Sequence, residues 1–328
     1  MNQREREQAV AAMAGQRILV LGDVMLDEFF WGRAHRIAPE APVPVVEIER
    51  ESYALGGAAN VAANIRALGG VPFVIGVIGD DPAAEHLRDA MLRWHLEWHG
   101  LVTDAARPTT RKTRVMVNAH QMARFDRESR HPIPEPIETA VIAKIDAWLP
   151  HVAAVAVSDY DKGVLTPRVL RHTLMAARSQ GLPVALDPKP ARFAHYQPVT
   201  VVTPNLHEAA LIAQTPISDD ATLSDVCRRL SAMLGDAHVL VTRGEAGMTL
   251  YEATGRLRHL PAVAREVYDV TGAGDTVLAV LTLGMSIGLP LHQAAELANR
   301  AAGVVVGKLG TATARPEELV AGQVLTVR

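Results

Sequence analysis

Short apolar runs alternate along most of the chain with longer stretches in which apolar residues recur at helical spacing. The runs predicted as strands lie at 18–21, 73–78, 152–157, 184–186, 199–202 and 238–242. Predicted helices follow at about 57–68, up to Trp98, at 166–180 and from Asn205. This alternation predicts an α/β fold whose central sheet is mostly parallel and is flanked by helices on both faces.

Two segments with a different pattern interrupt the alternation. Residues 28–52 contain three prolines, and residues 107–127 alternate polar and apolar positions without a helix between them. We predict that both form antiparallel strands and pair into a small β-sheet lid over the carboxyl ends of the parallel strands, where such folds bind ligands. The proline-rich stretch 130–136 then leads back into the core, so that residues 1–328 form a single domain.

The composition favours a globular protein that acts on small molecules. Hydrophobic residues make up 48% of the chain, and the longest apolar runs are far shorter than the roughly 20 residues that span a bilayer. With 33 Lys and Arg against 36 Asp and Glu, the formal charge is −3, which gives no electrostatic case for a nucleic acid or a membrane partner. The single cysteine, Cys227, and the charged first residues predict a cytoplasmic location.

The most informative window is a glycine-containing turn, Gly272-Ala273-Gly274, that precedes the apolar helix predicted at 277–287. Small residues at a helix start leave backbone N–H groups accessible, and the helix dipole favours an anion there, so the turn is suited to phosphate. Asp275 in the same turn would repel a phosphate if it were only a ligand, and it is better explained as a base that faces an incoming hydroxyl. The alternative is that Asp275 only caps the helix.

Two better-known phosphate motifs do not fit the chain. The segment around Gly307 and Lys308 has the wrong spacing for a P-loop and lacks the Ser or Thr that would hold Mg²⁺. The turn at 272–275 is not a Rossmann fingerprint either, because Val277 stands where the third small residue is needed.

Four blocks, distributed over essentially the whole chain, resemble the ribokinase (PfkB) family of sugar kinases. DVTGAGDT at 269–276 and GGAANVA at 56–62 resemble the two family signatures. TPNLHE at 203–208 resembles the N-x-x-E element, and VTRGEAG at 241–247 resembles the strand and turn that flank the nucleotide. The resemblance implies a ribokinase-like fold and ATP-dependent phosphorylation of a sugar.

The resemblance also implies roles for single residues. Asp275 would take the proton of the sugar hydroxyl, while the N–H groups of the turn at 272–275 stabilise the transferring phosphoryl group. Asn205 and Glu208 would help to place Mg²⁺ and the ATP phosphates, partly through water. The remaining residues expected at the nucleotide are Thr242, Gly244, Gly247 and Asn299.

Family likeness further implies a monovalent cation site and a dimer. Asp269 matches a position that in many relatives helps to hold a monovalent cation such as K⁺, although a turn or capping carboxylate is an equal interpretation. The lid strands commonly form a homodimer interface in this family. The sugar would lie between the lid and Gly56-Gly57, with Asn60 also expected at the sugar.

The segment after the first strand bears on the identity of the sugar. Asp23 and Asp27 could accept paired hydrogen bonds from vicinal hydroxyls, unless they are solvent-exposed turn residues. GDVMLD at 22–27, APEAPVPV at 38–45, SDYDKG at 158–163 and DPK at 187–189 resemble one branch of the family. This branch comprises the kinases of D-glycero-β-D-manno-heptose 7-phosphate in the ADP-heptose pathway.

A sugar that already carries a phosphate needs cations at its far end. Basic residues on the predicted lid and after core strands could supply them: Lys112, Arg114, Arg124, Lys162 and Lys189. A solvated surface charge is the other interpretation for each residue, and Lys162 and Lys189 fit the γ-phosphate of ATP equally well.

Two other functions stay open at this point. One is a kinase of the same family with a different sugar, and the other is a catalytically silent sugar-binding regulator; the joint presence of Asp275, the glycines and the N-x-x-E element favours an enzyme. The chain has no H-x-G-H motif, which marks the nucleotidyltransferase domain fused to many kinases of this branch. We therefore expect phosphorylation to the 1,7-bisphosphate without adenylylation.

Overall fold

The computed structural model describes residues 1–118, 120–263, 267–308 and 310–321. The strands are β1 (Arg17–Gly22), β2 (Val24–Ile37), β3 (Pro44–Gly57), β4 (Val71–Ile78), β5 (Leu101–Thr103), β6 (Arg111–Val117), β7 (His120–Arg127), β8 (Ala154–Ser158), β9 (Val184–Asp187), β10 (Val201–Val202), β11 (His238–Thr242), β12 (Met248–Tyr251) and β13 (Leu257–Leu260). The α-helices are α1 (Gln3–Met13), α2 (Ala58–Ala67), α3 (Pro82–Arg93), α4 (Glu135–Trp148), α5 (Pro167–Ser179), α6 (Leu206–Ala213), α7 (Asp220–Met233), α8 (Ala273–Ser286), α9 (Leu291–Val305) and α10 (Pro316–Val320).

A nine-stranded sheet forms the centre of the fold, in the order β13-β12-β11-β10-β9-β8-β1-β4-β5. Seven neighbouring strands of this sheet pair in parallel: β11, β10, β9, β8, β1, β4 and β5. The strands β12 and β13 add an antiparallel edge next to β11. In register, Leu19 of β1 lies between Phe73 and Val155. The predicted mostly parallel sheet is therefore confirmed, whereas the antiparallel edge was not predicted.

Alternate residues of the central strands face two separate apolar cores. In β1, Ile18 and Val20 belong to the core that contains α1, α2, α8 and α9, whereas Leu19 and Leu21 belong to the core that contains α4, α5 and α7. All four side chains are fully buried, which contributes about 1.5–3 kcal/mol each relative to exposure. The prediction of helices on both faces of the sheet is confirmed.

The predicted lid is a second, four-stranded sheet in the order β3-β2-β6-β7. Its hairpins β2–β3 and β6–β7 are antiparallel, but β2 and β6, which join the two predicted segments, run parallel with Asp27 opposite Lys112. The prediction of a small second sheet with antiparallel strands in each segment is confirmed, whereas the parallel pairing between the two segments was not predicted. The strands also extend beyond the predicted bounds, because β2 begins at Val24 and β3 ends at Gly57.

Helix boundaries depend on local backbone and capping residues. α3 ends at Arg93, short of the predicted end near Trp98, and His95 adopts a left-handed φ of 54° that a continuing helix does not allow. α1 was not predicted, although Asn2 and Glu5 form a capping box at its start. Among the described residues, none of the helices has the length and apolar character needed to cross a membrane.

The carboxyl ends of the parallel strands lie along one edge of the large sheet and bring polar residues together there. The chain leaves β1 at Asp23, β8 at Asp159 and β9 at Asp187, and Asn205 follows β10. α8 begins at the same edge, since Asp275 in its first turn bonds to Tyr160, two residues after β8.

Candidate active site

Asp275 lies in the first turn of α8 with its side chain directed into the protein. The N-cap of α8 is Gly272, in a left-handed conformation with φ of 79°, and no side chain caps the helix. Asp275 is only 3% exposed, and its two oxygens accept hydrogen bonds from other parts of the chain. The alternative that Asp275 merely caps the helix is therefore wrong.

Two donors hold the Asp275 carboxylate. The side-chain amide of Asn60, in α2, donates to Oδ2 at 2.8 Å, and the hydroxyl of Tyr160, after β8, donates to Oδ1 at 2.8 Å. Burial raises the pKa of Asp275 to about 6, although both donors oppose the rise because they stabilise the charged form. A carboxylate with this pKa is ionised at neutral pH and still basic enough to accept a proton.

The start of α8 offers backbone N–H groups beside this carboxylate. The first N–H groups of a helix have no carbonyl partner within that helix. The N–H of Ala273 is already bonded to the carbonyl of Val270 at 3.2 Å, whereas the N–H groups of Gly272, Gly274 and Asp275 have no partner among the described residues. Three of the four N–H groups in the turn 272–275, where the phosphate cradle was predicted, therefore remain for an anion.

A cavity of about 910 Å³ opens next to this turn. The residues predicted to contact ATP all line it: Asn205, Glu208, Thr242, Gly244, Gly247 and Asn299. Ala273 and Gly274 line the same cavity, as do Tyr160 and Lys189. The structure thus brings the predicted nucleotide residues and the glycine turn to one space, while their individual roles stay predictions.

Asn205 and Glu208 form the capping box of α6. Oδ1 of Asn205 accepts the N–H of Glu208 at 2.9 Å, and Oε2 of Glu208 accepts the N–H of Asn205 at 3.1 Å. The other oxygen of Glu208 accepts a hydrogen bond from the ammonium group of Lys189. The helix start therefore fixes both side chains at the wall of the cavity.

Asp187 adds a second carboxylate to this wall and was not among the predicted site residues. Burial raises its pKa to about 8; Lys189 opposes the rise, and Glu208 and Asp275 add to it. Within the described part of the chain, no group of three or more His, Cys, Asp or Glu side chains could hold a metal ion. Mg²⁺ usually binds through one or two carboxylates together with water and substrate phosphates, and Asp187 and Glu208 with Asn205 fit this oxygen donor set.

The lid side of the site is lined by paired charges. Oδ1 of Asp27, in β2, accepts a hydrogen bond from Arg114 at 2.6 Å. Lys112 lies in β6 with its Nζ 5.2 Å from the centre of the Tyr160 ring. Gly56 is buried, and a Cβ there would lie 2.7 Å from Cγ of Met25 and 2.8 Å from Oδ2 of Asp27, so a larger residue does not fit beside this carboxylate.

Asp23 is placed differently from its predicted sugar-binding role. Its carboxylate is buried and accepts the N–H groups of Tyr160, Lys162 and Val164 at 2.9, 3.1 and 3.3 Å. Burial raises its pKa to about 6, the charge of Asp159 adds to this, and the three donors oppose it. Asp23 thus holds the loop that carries Tyr160, and contact with a sugar stays a prediction.

Three further predicted residues have partners of their own. Lys162 pairs with Glu128 at 2.7 Å, and Arg124, whose side chain is 45% exposed, pairs with Asp126 at 2.5 Å. The amide of Asn299 donates to the carbonyl of Pro261 at 2.7 Å. These contacts place Lys162 at the junction of lid and core, and Arg124 at the lid edge.

Asp269 lies before the α8 turn and joins two loops. Its carboxylate accepts the N–H groups of Thr271 and Gly310 at 2.9 and 3.0 Å. Burial alone would raise its pKa, but these hydrogen bonds outweigh burial and lower it. This geometry agrees with the turn carboxylate interpretation, and the monovalent cation stays a prediction.

Comparison with known proteins supports the arrangement. Residues 16–318 match the pattern of the pfkB family of carbohydrate kinases. The chain belongs to this family. It is 46% identical over 321 residues to "Bifunctional protein HldE" of Geotalea uraniireducens, a match that covers 98% of this chain and 66% of that protein, so the chain spans slightly less than two thirds of this relative.

Solved structures of pfkB family kinases share the fold. Phosphofructokinase-2 from Escherichia coli in complex with potassium has a TM-score of 0.75 at 17% identity, with 93% of this chain and 97% of that chain covered. Arabidopsis thaliana ribokinase complexed with ribose and ATP has a TM-score of 0.72 at 15% identity, with 94% and 98% covered. The predictions of a ribokinase-like fold and of an ATP-dependent sugar kinase are confirmed.

Tyr160 bonds to Asp275 and lines the cavity of this pfkB kinase, but the sequence analysis did not include it among the site residues. The signal was present, because Tyr160 lies in the SDYDKG block directly after β8, where the carboxyl ends of parallel strands bind ligands. Asp187 is the last residue of β9, at the same edge of the sheet. The sequence blocks SDYDKG and DPK do not by themselves indicate that the side chains of Tyr160 and Asp187 lie near Asp275.

Proposed function

We propose that the chain transfers the γ-phosphoryl group of ATP to O1 of D-glycero-β-D-manno-heptose 7-phosphate in ADP-heptose and lipopolysaccharide core biosynthesis. The observation that carries this proposal is the position of the Asp275 carboxylate. It is buried, has a pKa of about 6, and lies in a helix start between the nucleotide cavity and the lid. A base is needed at that position for transfer of a phosphoryl group from ATP to a sugar hydroxyl.

In this proposal each part of the site has one task. Asp275 accepts the proton of the attacking hydroxyl, and the N–H groups of Gly274 and Asp275 stabilise the charge on the transferring phosphoryl group. Mg²⁺, held near Asp187 and Glu208, would neutralise charge on the ATP phosphates. The lid sheet excludes water, so that the sugar rather than water receives the phosphoryl group.

The proposed phosphosugar is supported by the distribution of charge on the lid side. Asp27 and Arg114 pair beside Gly56, and the pair offers both an acceptor and a donor to sugar hydroxyls. Among the described residues, no carboxylate oxygen lies within 4.0 Å of Nζ of Lys112, and Asp27 acts on its charge only from farther away, so the ammonium group can pair with an anionic substrate. The four blocks that resemble the heptose 7-phosphate kinases favour heptose over other sugars.

A coupled ADP-release assay over matched sugars tests this function. The full chain is mixed with ATP, Mg²⁺ and heptose 7-phosphate, unphosphorylated heptose, fructose 6-phosphate or ribose. We expect the highest kcat/KM with heptose 7-phosphate and a product phosphorylated at O1 and O7. Turnover of ribose or fructose 6-phosphate without turnover of heptose 7-phosphate would contradict the proposed substrate but not the proposed base.

We also propose that two copies associate through the lid. The lid strands expose several large apolar side chains: Ile37, Ile48, Met122 and Phe125. Exposed apolar side chains on a sheet favour association with another surface. Light scattering after size exclusion should give twice the mass of the chain, and Phe125→Glu should shift the mass toward the monomer.

A further inference from the structure

Tyr160 connects the proposed base to the loop after β8. Its hydroxyl donates to Oδ1 of Asp275 at 2.8 Å, and its own N–H donates to Oδ2 of Asp23 at 2.9 Å. The buried carboxylate of Asp23 also accepts two further N–H groups of this loop. The hydrogen bonds to Asp23 therefore fix the backbone of the loop that carries Tyr160.

The ring of Tyr160 lies near two ammonium groups from different parts of the protein. Nζ of Lys112, on lid strand β6, is 5.2 Å from the ring centre, and Nζ of Lys189, on the wall of the nucleotide cavity, is 5.6 Å away. Cations at such distances from an aromatic ring attract it. The ring thus lies between a lid residue and a residue of the nucleotide cavity, and its hydroxyl bonds to Asp275.

A second layer holds the same loop. Asp159, which is fully buried, accepts the hydroxyl of Tyr196 at 2.6 Å and a guanidinium N–H of Arg192 at 2.7 Å. The hydroxyl of Tyr196 in turn accepts the N–H of Lys189 at 3.0 Å. The positions of Tyr160 and Lys189 are consequently set by one connected network.

We infer that Tyr160 is a positioning residue that orients the Asp275 carboxylate and keeps it ionised for proton transfer. This inference rests on the proposed role of Asp275 as the base. An ionised carboxylate has about four lone-pair sites, and Tyr160 and Asn60 occupy one on each oxygen. The two donors fix the carboxylate plane, and lone pairs on both oxygens stay open for a substrate hydroxyl.

The charges around Asp275 show why a neutral donor matters there. Asp27 of β2 raises the pKa of Asp275 and Lys112 of β6 lowers it, so the two charged lid residues oppose each other. Asp187, at the end of β9, is a further carboxyl group that interacts with Asp275. Burial raises the pKa of Tyr160 well above 10, and Tyr160 therefore donates its proton to Asp275 throughout the working pH range.

Replacement of Tyr160 by Phe tests the inference by removal of one oxygen atom. The ring stays for Lys112 and Lys189, whereas Asp275 loses the donor on Oδ1. Tyr53→Phe is the matched control, because the hydroxyl of Tyr53 bonds to Glu51 on the lid. The first readout is carbon-13 NMR of the Asp275 carboxyl group in the ligand-free full chain, assigned by its loss in Asp275→Asn.

We expect Tyr160→Phe to move the Asp275 titration upward by at least about one pH unit, since a hydrogen bond to a charged acceptor contributes about 1.5–3 kcal/mol and 1.36 kcal/mol corresponds to one pKa unit. The acidic limb of kcat/KM should move by the same amount, with kcat/KM at least about fivefold lower at pH 6 and a smaller loss at pH 8, because a pKa that moves from about 6 to about 7 lowers the ionised fraction at pH 6 from about one half to about one eleventh. The KM for ATP should stay within about twofold of the original value, because a change in the protonation of Asp275 does not remove a contact with the nucleotide.

The outcomes separate the inference from the proposed function. An Asp275 titration and acidic limb that are the same in Tyr160→Phe as in Tyr53→Phe would overturn the role of Tyr160, even if Asp275→Asn is inactive. Full turnover of Asp275→Asn would instead overturn Asp275 as the base, and with it the inference. The NMR titration does not depend on which sugar is the substrate.

Discussion

Asn60 donates its side-chain amide to Asp275 across 2.8 Å although 215 positions separate the two residues. The bond joins the start of α2 to the start of α8, and the hydroxyl of Thr276 bonds to Oδ1 of Asn64 beside it at 2.8 Å. The two blocks that resemble the family signatures are therefore in direct contact at Asp275. Interference with this contact should lower the activity through the orientation of Asp275.

Gly272→Ala should break this contact. A Cβ at Gly272 would lie 2.6 Å from Nδ2 of Asn60, and the φ of 79° is unfavourable for alanine. We expect the free energy of unfolding to fall by at least about 2 kcal/mol from backbone strain and overpacking together. Turnover should fall at least about tenfold, because the displaced Asn60 no longer orients Asp275.

Gly181→Ala is the control for Gly272→Ala. Gly181 has a φ of 68°, and a Cβ there would meet nothing within 4 Å. This variant should therefore lose only about 1 kcal/mol and keep full turnover. Urea unfolding and initial rates measure both effects, and equal stability and rate changes in the two variants would refute the steric role of Asn60.

Asp275→Asn tests the base directly. An asparagine can keep both neighbours, with its oxygen toward Asn60 and its amide toward the Tyr160 oxygen, so the fold should be preserved. Turnover should fall by at least about 10²-fold, the usual effect of a positioned base, while ATP and sugar bind as before. Calorimetric titration and ADP release measure binding and turnover separately.

The control for this change is Asp225→Asn on α7. Asp225 pairs with Arg228 at 2.9 Å on the exposed surface, where such pairs contribute little. It should leave both binding and turnover unchanged. Turnover of Asp275→Asn within about threefold of the original would remove Asp275 from the mechanism.

Activity should fall reversibly in acid without loss of the fold. The pKa of Asp275 is about 6, so kcat/KM should decrease about tenfold per pH unit below pH 6 as the base becomes protonated. The pKa values of Asp275 and Asp23 are raised in the folded state, so both residues favour folding most below their unfolded pKa, and this contribution is lost as pH rises through about 6.

The raised pKa values of Asp275 and Asp23 also predict how the stability of the fold changes with pH, and this provides a control. The melting temperature should not drop between pH 7 and pH 5.5 on account of these two residues, while the rate declines and recovers when the pH is restored. A parallel loss of melting temperature and activity would attribute the acid effect to unfolding instead. Rates and thermal melts in the same buffers decide between the two.

The sequence indicated the fold and the residues that line the cavity better than the contacts between those residues. Continuous apolar runs predict β1 and β8, because a buried strand between two helical layers must be apolar on both faces. The bonds from Asn60 and Tyr160 to Asp275 could not be predicted, since they depend on how α2 and the loop after β8 pack against α8. The parallel joint between β2 and β6 likewise depends on tertiary pairing rather than on local pattern.

Lys189 and Lys112 should affect different substrates although both lie near the Tyr160 ring. Lys189 lines the nucleotide cavity and bonds to Glu208, so Lys189→Ala should raise the KM for ATP about tenfold, the typical effect of a lost charge-assisted hydrogen bond.

Lys112 lies on the lid, and Lys112→Ala should raise the KM for heptose 7-phosphate more than that for unphosphorylated heptose. Lys144→Ala, on α4, should change neither constant, and it controls for loss of a positive charge. Equal losses with both sugars in Lys112→Ala would show that this lysine does not bind the substrate phosphate, and an unchanged KM for ATP in Lys189→Ala would exclude Lys189 from the nucleotide site.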